Sequence, residues 1–182
     1  MTDNKIIFYP TLQNDVTNTS FSEQDKQGFF SYDFSSNIGY GDVFLMARAF
    51  LYISEMTNKK LQKMCYYAKA WYLALYDQNI ITDAFEAWVH GAVQPNLYRE
   101  YRRYGFSMIP KEMNKELIPE EFLSFAQEIY NSYGHLTGDE LEALNHTEMP
   151  WIRAREGYKP WENCNVVISE EDMKEYYRKM IK

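Results

Sequence analysis

Apolar side chains fill nearly every position of VFLMARAFLYIS (43–54). A helix that is apolar on all sides belongs in the middle of an assembly, so this run predicts a central helix with Asp42 as its cap. The segment after it is amphipathic. Leu61, Met64, Cys65, Ala68, Trp71, Tyr72 and Leu75 recur at the i, i+3, i+4, i+7 spacing of one helical face, and Thr57 stands at the cap. Lys59, Gln62, Lys63 and Lys69 make up the opposite, polar face. Between 80 and 94 the period changes: Phe85, Ala87 and Val89 alternate with Glu86, Trp88 and His90, which fits a short strand or a buried irregular connection. Pro95 suits a first helical turn, and NLYREYRRY, closed by Gly105, predicts a short helix carrying Arg99, Arg102 and Arg103.

A third long helix is expected from Pro119, with Glu120 and Glu121 at the positive end of its dipole. Phe122, Phe125, Ala126, Ile129, Tyr130 and Tyr133 form its apolar face, and Gly134 ends it. Thr137 and Glu140 have capping-box spacing and open a short helix that carries Leu141 and Leu144. Ser169 and Asp172 mark a last helix, EEDMKEYYRKMIK, acidic at its start, basic at its end and apolar at Met173, Tyr176, Tyr177 and Met180. Residues 1–41 differ from all of this, being polar and aperiodic and then aromatic among Ser, Gly and Asn; they are expected to be an N-terminal arm. The expected fold class is mainly α: a single compact helical domain over 42–182, with a short strand or irregular segment around 80–94.

Composition narrows the function. At 182 residues the chain can bury a full core in one domain. Aromatic residues make up 17%, sixteen of them tyrosine, a payload with polar tips that suits half-buried surfaces as well as cores. Eight glycines leave little material for phosphate-cradling loops. A formal charge of −7 argues against general affinity for nucleic acid and makes a basic partner the easier one. Two cysteines are too few for a disulfide framework, and Cys65 lies in an apolar helical stripe. With no apolar run of about 18–20 residues and no basic-then-apolar leader, the expected location is the cytoplasm, without a membrane.

The densest chemistry is HTEMPWIRAR (146–155). His146 and Glu148, with His90, Glu86 and His135, have the donor types for a metal, but HExxH and paired CxxC are absent; GxSxG and SxxK are absent too. No cofactor is expected. Arg153 and Arg155 offer planar forks that could bind phosphate or an outside carboxylate, or clamp internal glutamates such as Glu86 and Glu148. The internal clamp is favoured, with His146 and Glu148 hydrogen-bonding the turn, Pro150 setting the chain direction and Trp151 filling a gap.

Three segments taken together resemble a known family: KLQKMCYYAKAW (60–71), FEAWVHGAVQPNLY (85–98) and YGHLTGDELEALNHTEMPWIRAR (133–155). They are similar to the Panacea, or SocA-like, antitoxin domain, whose pattern runs approximately KLQKLLYYAQGW, EAWxxGPVVPxVY and YGxxSxxxLxxLTHxExPWxxAR. The family's positions fall here on Gln62, Tyr66, Trp71, Glu86, Trp88, Gly91, Pro95, His146, Glu148, Pro150, Trp151 and Arg155, to which a structural role is assigned. The chain departs from the pattern at Ala92 (usually proline), Gln94 (often valine) and Asn145 (commonly threonine).

The resemblance implies a helical domain of bacterial and phage-borne toxin–antitoxin systems whose members bind and neutralise unrelated toxins, some of them by presenting the toxin to the ClpXP protease. The expectation is therefore a non-enzymatic antitoxin for a basic, nucleotide- or RNA-directed toxin, without direct DNA binding. Its alternatives are a proteolytic adaptor and a metal-dependent hydrolase using His146, Glu148 and His90. For toxin contacts the exposed candidates are Phe29, Phe30, Tyr32 and Phe34 of the arm and the cluster Arg99, Arg102 and Arg103.

Overall fold

The computed structural model of the chain describes residues 42–181. Helix α1 (Asp42–Ile53) is followed by the two-residue strand β1 (Met56–Thr57) and the long helix α2 (Asn58–Tyr76). Strands β2 (Glu86–Trp88) and β3 (Gly91–Val93) lead into α3 (Pro95–Tyr101), a 3-10 turn (Arg102–Tyr104) and β4 (Met108–Ile109). After a second 3-10 turn (Lys115–Leu117) come α4 (Glu120–Tyr133), α5 (Gly138–Asn145), α6 (Met149–Ala154) and α7 (Glu170–Arg178). The architecture is mainly α, with seven helices among the described residues and two small antiparallel pairs, β1 with β4 and β2 with β3. The alternation at 85–90 is thus a hairpin, in which Ala87 lies opposite Ala92. The β1–β4 pair, with Met56 opposite Ile109, is too short to leave a period in the sequence.

Local chemistry sets most of the helix ends. Thr57 Oγ1 accepts from the Lys60 N–H, Ser169 accepts from Asp172, and Thr137 and Glu140 form the reciprocal capping box. Helix α2 stops at Asp77, which takes the left-handed conformation (φ 59°) and donates its N–H to Leu73 O. Asp42 is not the cap of α1. Its carboxylate accepts from Thr82, while Asp83 Oδ2, forty residues away, accepts from the Val43 N–H at 3.1 Å.

The central helix is α2, not α1. It packs against α1, α3, α4, α5, α7 and β3, whereas α1 packs chiefly on α2 and α4. The polar face of α2 is therefore inside: Gln62, Lys63 and Lys69 are all buried. Burial of such groups is tolerable only where hydrogen bonds replace water. Lys69 Nζ donates to Ile81 O and Asp83 O and pairs with Glu170 at 2.6 Å. Lys63 Nζ donates to Ala92 O, and Gln62 Oε1 accepts from the Gln94 N–H.

Four tyrosines join this core. Tyr67 stacks on Tyr133 with ring centres 4.3 Å apart, Tyr177 packs against both Tyr67 and Trp71, and Tyr66 meets Phe85 edge-on. The Trp71 indole N–H donates to Tyr133 OH at 2.9 Å, which satisfies both polar tips in the apolar interior. Cys65 and Cys164 are buried free thiols. No described helix is long and apolar enough to cross a membrane.

Candidate functional site

The short β-hairpin cannot complete its hydrogen bonding alone, and buried backbone groups without partners are costly. Side chains from three helices supply what is missing. On β3, Ala92 donates its N–H to Asn145 Oδ1 at 2.7 Å and accepts from Lys63 at 2.9 Å. Gly91 makes this approach possible, since it takes φ 90° and a Cβ there would stand 2.8 Å from both Asn145 Oδ1 and Lys63 Nζ. On β2, the Ala87 N–H donates to Val166 O, and Ile168 donates to Phe85 O.

The decapeptide closes on the same strand. Trp151 Nε1 donates to Trp88 O at 3.1 Å, and Arg155 Nη1 donates to Ala87 O at 2.8 Å. The other arm of the Arg155 fork donates to Lys159 O and Glu162 O at 2.9 and 2.7 Å, with a longer contact to Pro160 O. His146, Trp151 and Arg155 form a stack: the imidazole lies 4.2 Å from the indole, and the guanidinium 5.1 Å from it. Because Trp151 is half-buried, its polar tip is the part most sensitive to change. Trp151→Phe, which keeps the stack and loses one hydrogen bond, is expected to lower stability by about 1 kcal/mol, read as a shift in denaturation midpoint.

The sequence-based clamp partners need correction. Glu86 is bound by its neighbour, Trp88 Nε1, at 2.7 Å, and neither arginine holds it. Arg155 binds main-chain carbonyls, and Arg153 pairs with Asp172 near the surface. Glu148 bonds its own turn through Asn145 and reaches beyond it to two tyrosines. Its carboxyl group is buried and meets Tyr177 OH, Asn145 Nδ2 and Tyr67 OH at 2.8, 3.0 and 3.3 Å. Burial raises its pKa to about 7, while Asn145 and the two hydroxyls work the other way. Burial also lowers the His146 pKa, partly opposed by Glu142.

The structure gives the histidines and Glu148 separate partners. His90 bonds Glu142 at 2.9 Å, His146 lies on Trp151, and Glu148 is enclosed by hydroxyls and an amide. Among the described residues, no group of three or more His, Cys, Asp or Glu could hold a metal ion.

Residues 61–152, half of the chain, match the family described as antitoxin SocA-like, Panacea domain. The chain belongs to this family. No curated protein and no solved structure matches it.

Within this Panacea chain the three departures from the family pattern acquire partners. Ala92 has the N–H that proline lacks, and Asn145 has the carboxamide oxygen that accepts it, so the two departures form one hydrogen bond. Gln94 Oε1 accepts from the Leu97 N–H at 2.7 Å and caps α3, which valine could not do.

The Panacea chain also has an open groove of about 830 Å³, away from the decapeptide's buried bonds. Its sides are the first turns of α2 and α5, the tip of the β2–β3 hairpin, and the chain from Tyr98 to Met108. Helices α2 and α5 meet closely there, as a Cβ on Gly138 would stand 3.1 Å from the Lys60 nitrogen. Of the arginine cluster, Arg102 lines the groove, Arg99 bonds Asn96, and Arg103 lies over Tyr104. Phe29, Phe30, Tyr32 and Phe34 lie outside the described residues. Sequence reasoning missed Phe106 and Met108, both exposed and both lining the groove, because a lone apolar residue in a turn and a two-residue strand carry no periodic signal.

Proposed function

We propose that the chain is an antitoxin that neutralises a cognate protein toxin by binding it directly, without catalysis. Membership of an antitoxin family is the observation that carries this reading. Two features support it. The residues with chemistry in the decapeptide, Glu148, Trp151 and Arg155, are engaged with the chain's own backbone and tyrosines. The net charge of −7 favours long-range attraction of a basic toxin, of the kind that acts on nucleotides or RNA. Such binding is a surface event in the cytoplasm and needs no cofactor.

Co-expression with the product of the adjacent reading frame tests the reading. The neighbour alone should arrest growth, and this chain should restore it. Arrest that the chain does not relieve refutes the proposal. Repeating the rescue in cells without ClpXP separates direct masking, which persists, from delivery for proteolysis, which is lost.

A further inference from the structure

The charge of the groove is opposite to that of the chain. Lys59, Lys60, Lys63 and Arg102 line it together with His90 and His135, against two acids, Glu55 and Asp139. Lys59 is held by Asp139 and Glu142, each at 2.7 Å, so it adds little free charge. Lys60 is different, because its ammonium group donates to the Gly134 carbonyl and has no carboxylate partner among the described residues, whereas Lys63 is buried against Ala92 O with its pKa brought down to about 7 and adds little charge. Arg102 is exposed and has no carboxylate partner among the described residues. A locally basic concavity on a chain of net charge −7 selects for negative charge at close range.

The walls between these cations are apolar. Phe106 is 97% exposed and Met108 54%, and Trp88 and Tyr98 stand edge to face with ring centres 5.2 Å apart. Large apolar side chains left in water beside a concavity mark a surface that a partner covers. Methionine adapts to differently shaped anchors. Beneath the groove, two buried carboxamides are each one partner short, Asn58 at Oδ1 and Gln62 at Nε2.

We propose that this groove is the toxin-docking surface, and that it takes an acidic peptide segment of the toxin bearing a large apolar side chain. The proposal rests on the antitoxin reading and refines its electrostatics: a toxin drawn in by its overall basic charge presents an acidic element to this face. The apolar anchor inserts among Trp88, Tyr98, Phe106 and Met108, and the flanking carboxylates meet Lys60 and Arg102.

The test uses the full chain with the toxin encoded by the adjacent reading frame. Arg102→Glu and Phe106→Glu alter exposed side chains, so the double variant should keep the wild-type melting temperature. It should bind the toxin at least about tenfold more weakly and fail to restore growth. Wild-type rescue establishes the antitoxin reading separately, and an equally effective, equally tight double variant then overturns the groove alone. Overlapping peptides that span the toxin identify the segment: the strongest wild-type binder should be acidic with an apolar centre and should lose binding to the double variant. A basic segment in that place refutes the proposal. So does stabilisation of the wild type, but not the double variant, by ATP or inorganic pyrophosphate while toxin binding is unchanged, since that would make the groove a small-anion site.

Discussion

Arg155→Ala is expected to destabilise the fold by about 3 kcal/mol, a large share of the roughly 5 to 15 kcal/mol that holds an ordinary domain together. The side chain is only 6% exposed, and its fork joins Ala87 O in the hairpin to Lys159 O and Glu162 O in the loop after α6. Removing it orphans the buried Ala87 carbonyl, takes one donor from each of the Lys159 and Glu162 carbonyls, and removes the cation that lies against Trp151. Arg155→Lys should recover only part of the loss, because one ammonium cannot reach carbonyls on both sides of the fork. Urea denaturation of the two variants checks this. A midpoint within error of wild type for Arg155→Ala refutes the load assigned to the fork.

Glu148 is expected to make stability fall as pH rises from about 4.5 to about 7. Its carboxyl ionises near 4.5 in the unfolded chain and near 7 in the folded one, because burial disfavours the charge. Below 4.5 both states hold the proton and there is no penalty. Between the two values the unfolded chain releases the proton first, so unfolding is favoured progressively. Above 7 both are ionised, and the accumulated cost levels off at about 3 kcal/mol. Lys63 acts in the opposite sense at higher pH: burial brings its pKa from 10.5 to about 7, so its contribution makes stability rise between those values. The lowered pKa of His146 offsets part of the Glu148 trend as pH falls through 6.5. Glu148→Gln isolates the carboxyl, since the amide is neutral throughout and can still accept from Tyr177. Melting curves across this range should slope for the wild type and lose most of that slope in Glu148→Gln. Parallel slopes would count against the enclosed carboxyl as their source.

The elements most legible in the sequence were those written in local chemistry. The caps at Thr57 and Ser169, the Thr137–Glu140 box and the apolar face of α4 depend on neighbours a few residues away, and the spacing alone locates them. What was not legible depends on distant backbone. Gln62, Lys63 and Lys69 look like a solvated face because no periodic pattern shows that Ala92, Gln94 and Ile81 will present main-chain groups to them. The same blindness assigned the arginines to glutamates: side-chain charge is visible in a sequence, whereas a cluster of carbonyls from Ala87 to Glu162 is not. α1 was mistaken for the centre because an all-apolar helix advertises burial, while α2, the more enclosed of the two, hides its burial behind lysines. The groove escaped notice since it is assembled from helix starts, a hairpin tip and a loop, no two adjacent in sequence.

The β1–β4 ladder has only two residues on each side, and the stretch before it divides its side chains: Tyr101 and Tyr104 pack on the core, while Arg102, Phe106 and Met108 stand in solvent. Mutations at those three exposed positions can therefore accumulate without disturbing the hairpin or the tyrosines beneath it. If the groove docks the toxin as proposed, selection can re-cut this rim for a new adversary while the frame stays as it was, one scaffold then answering many poisons.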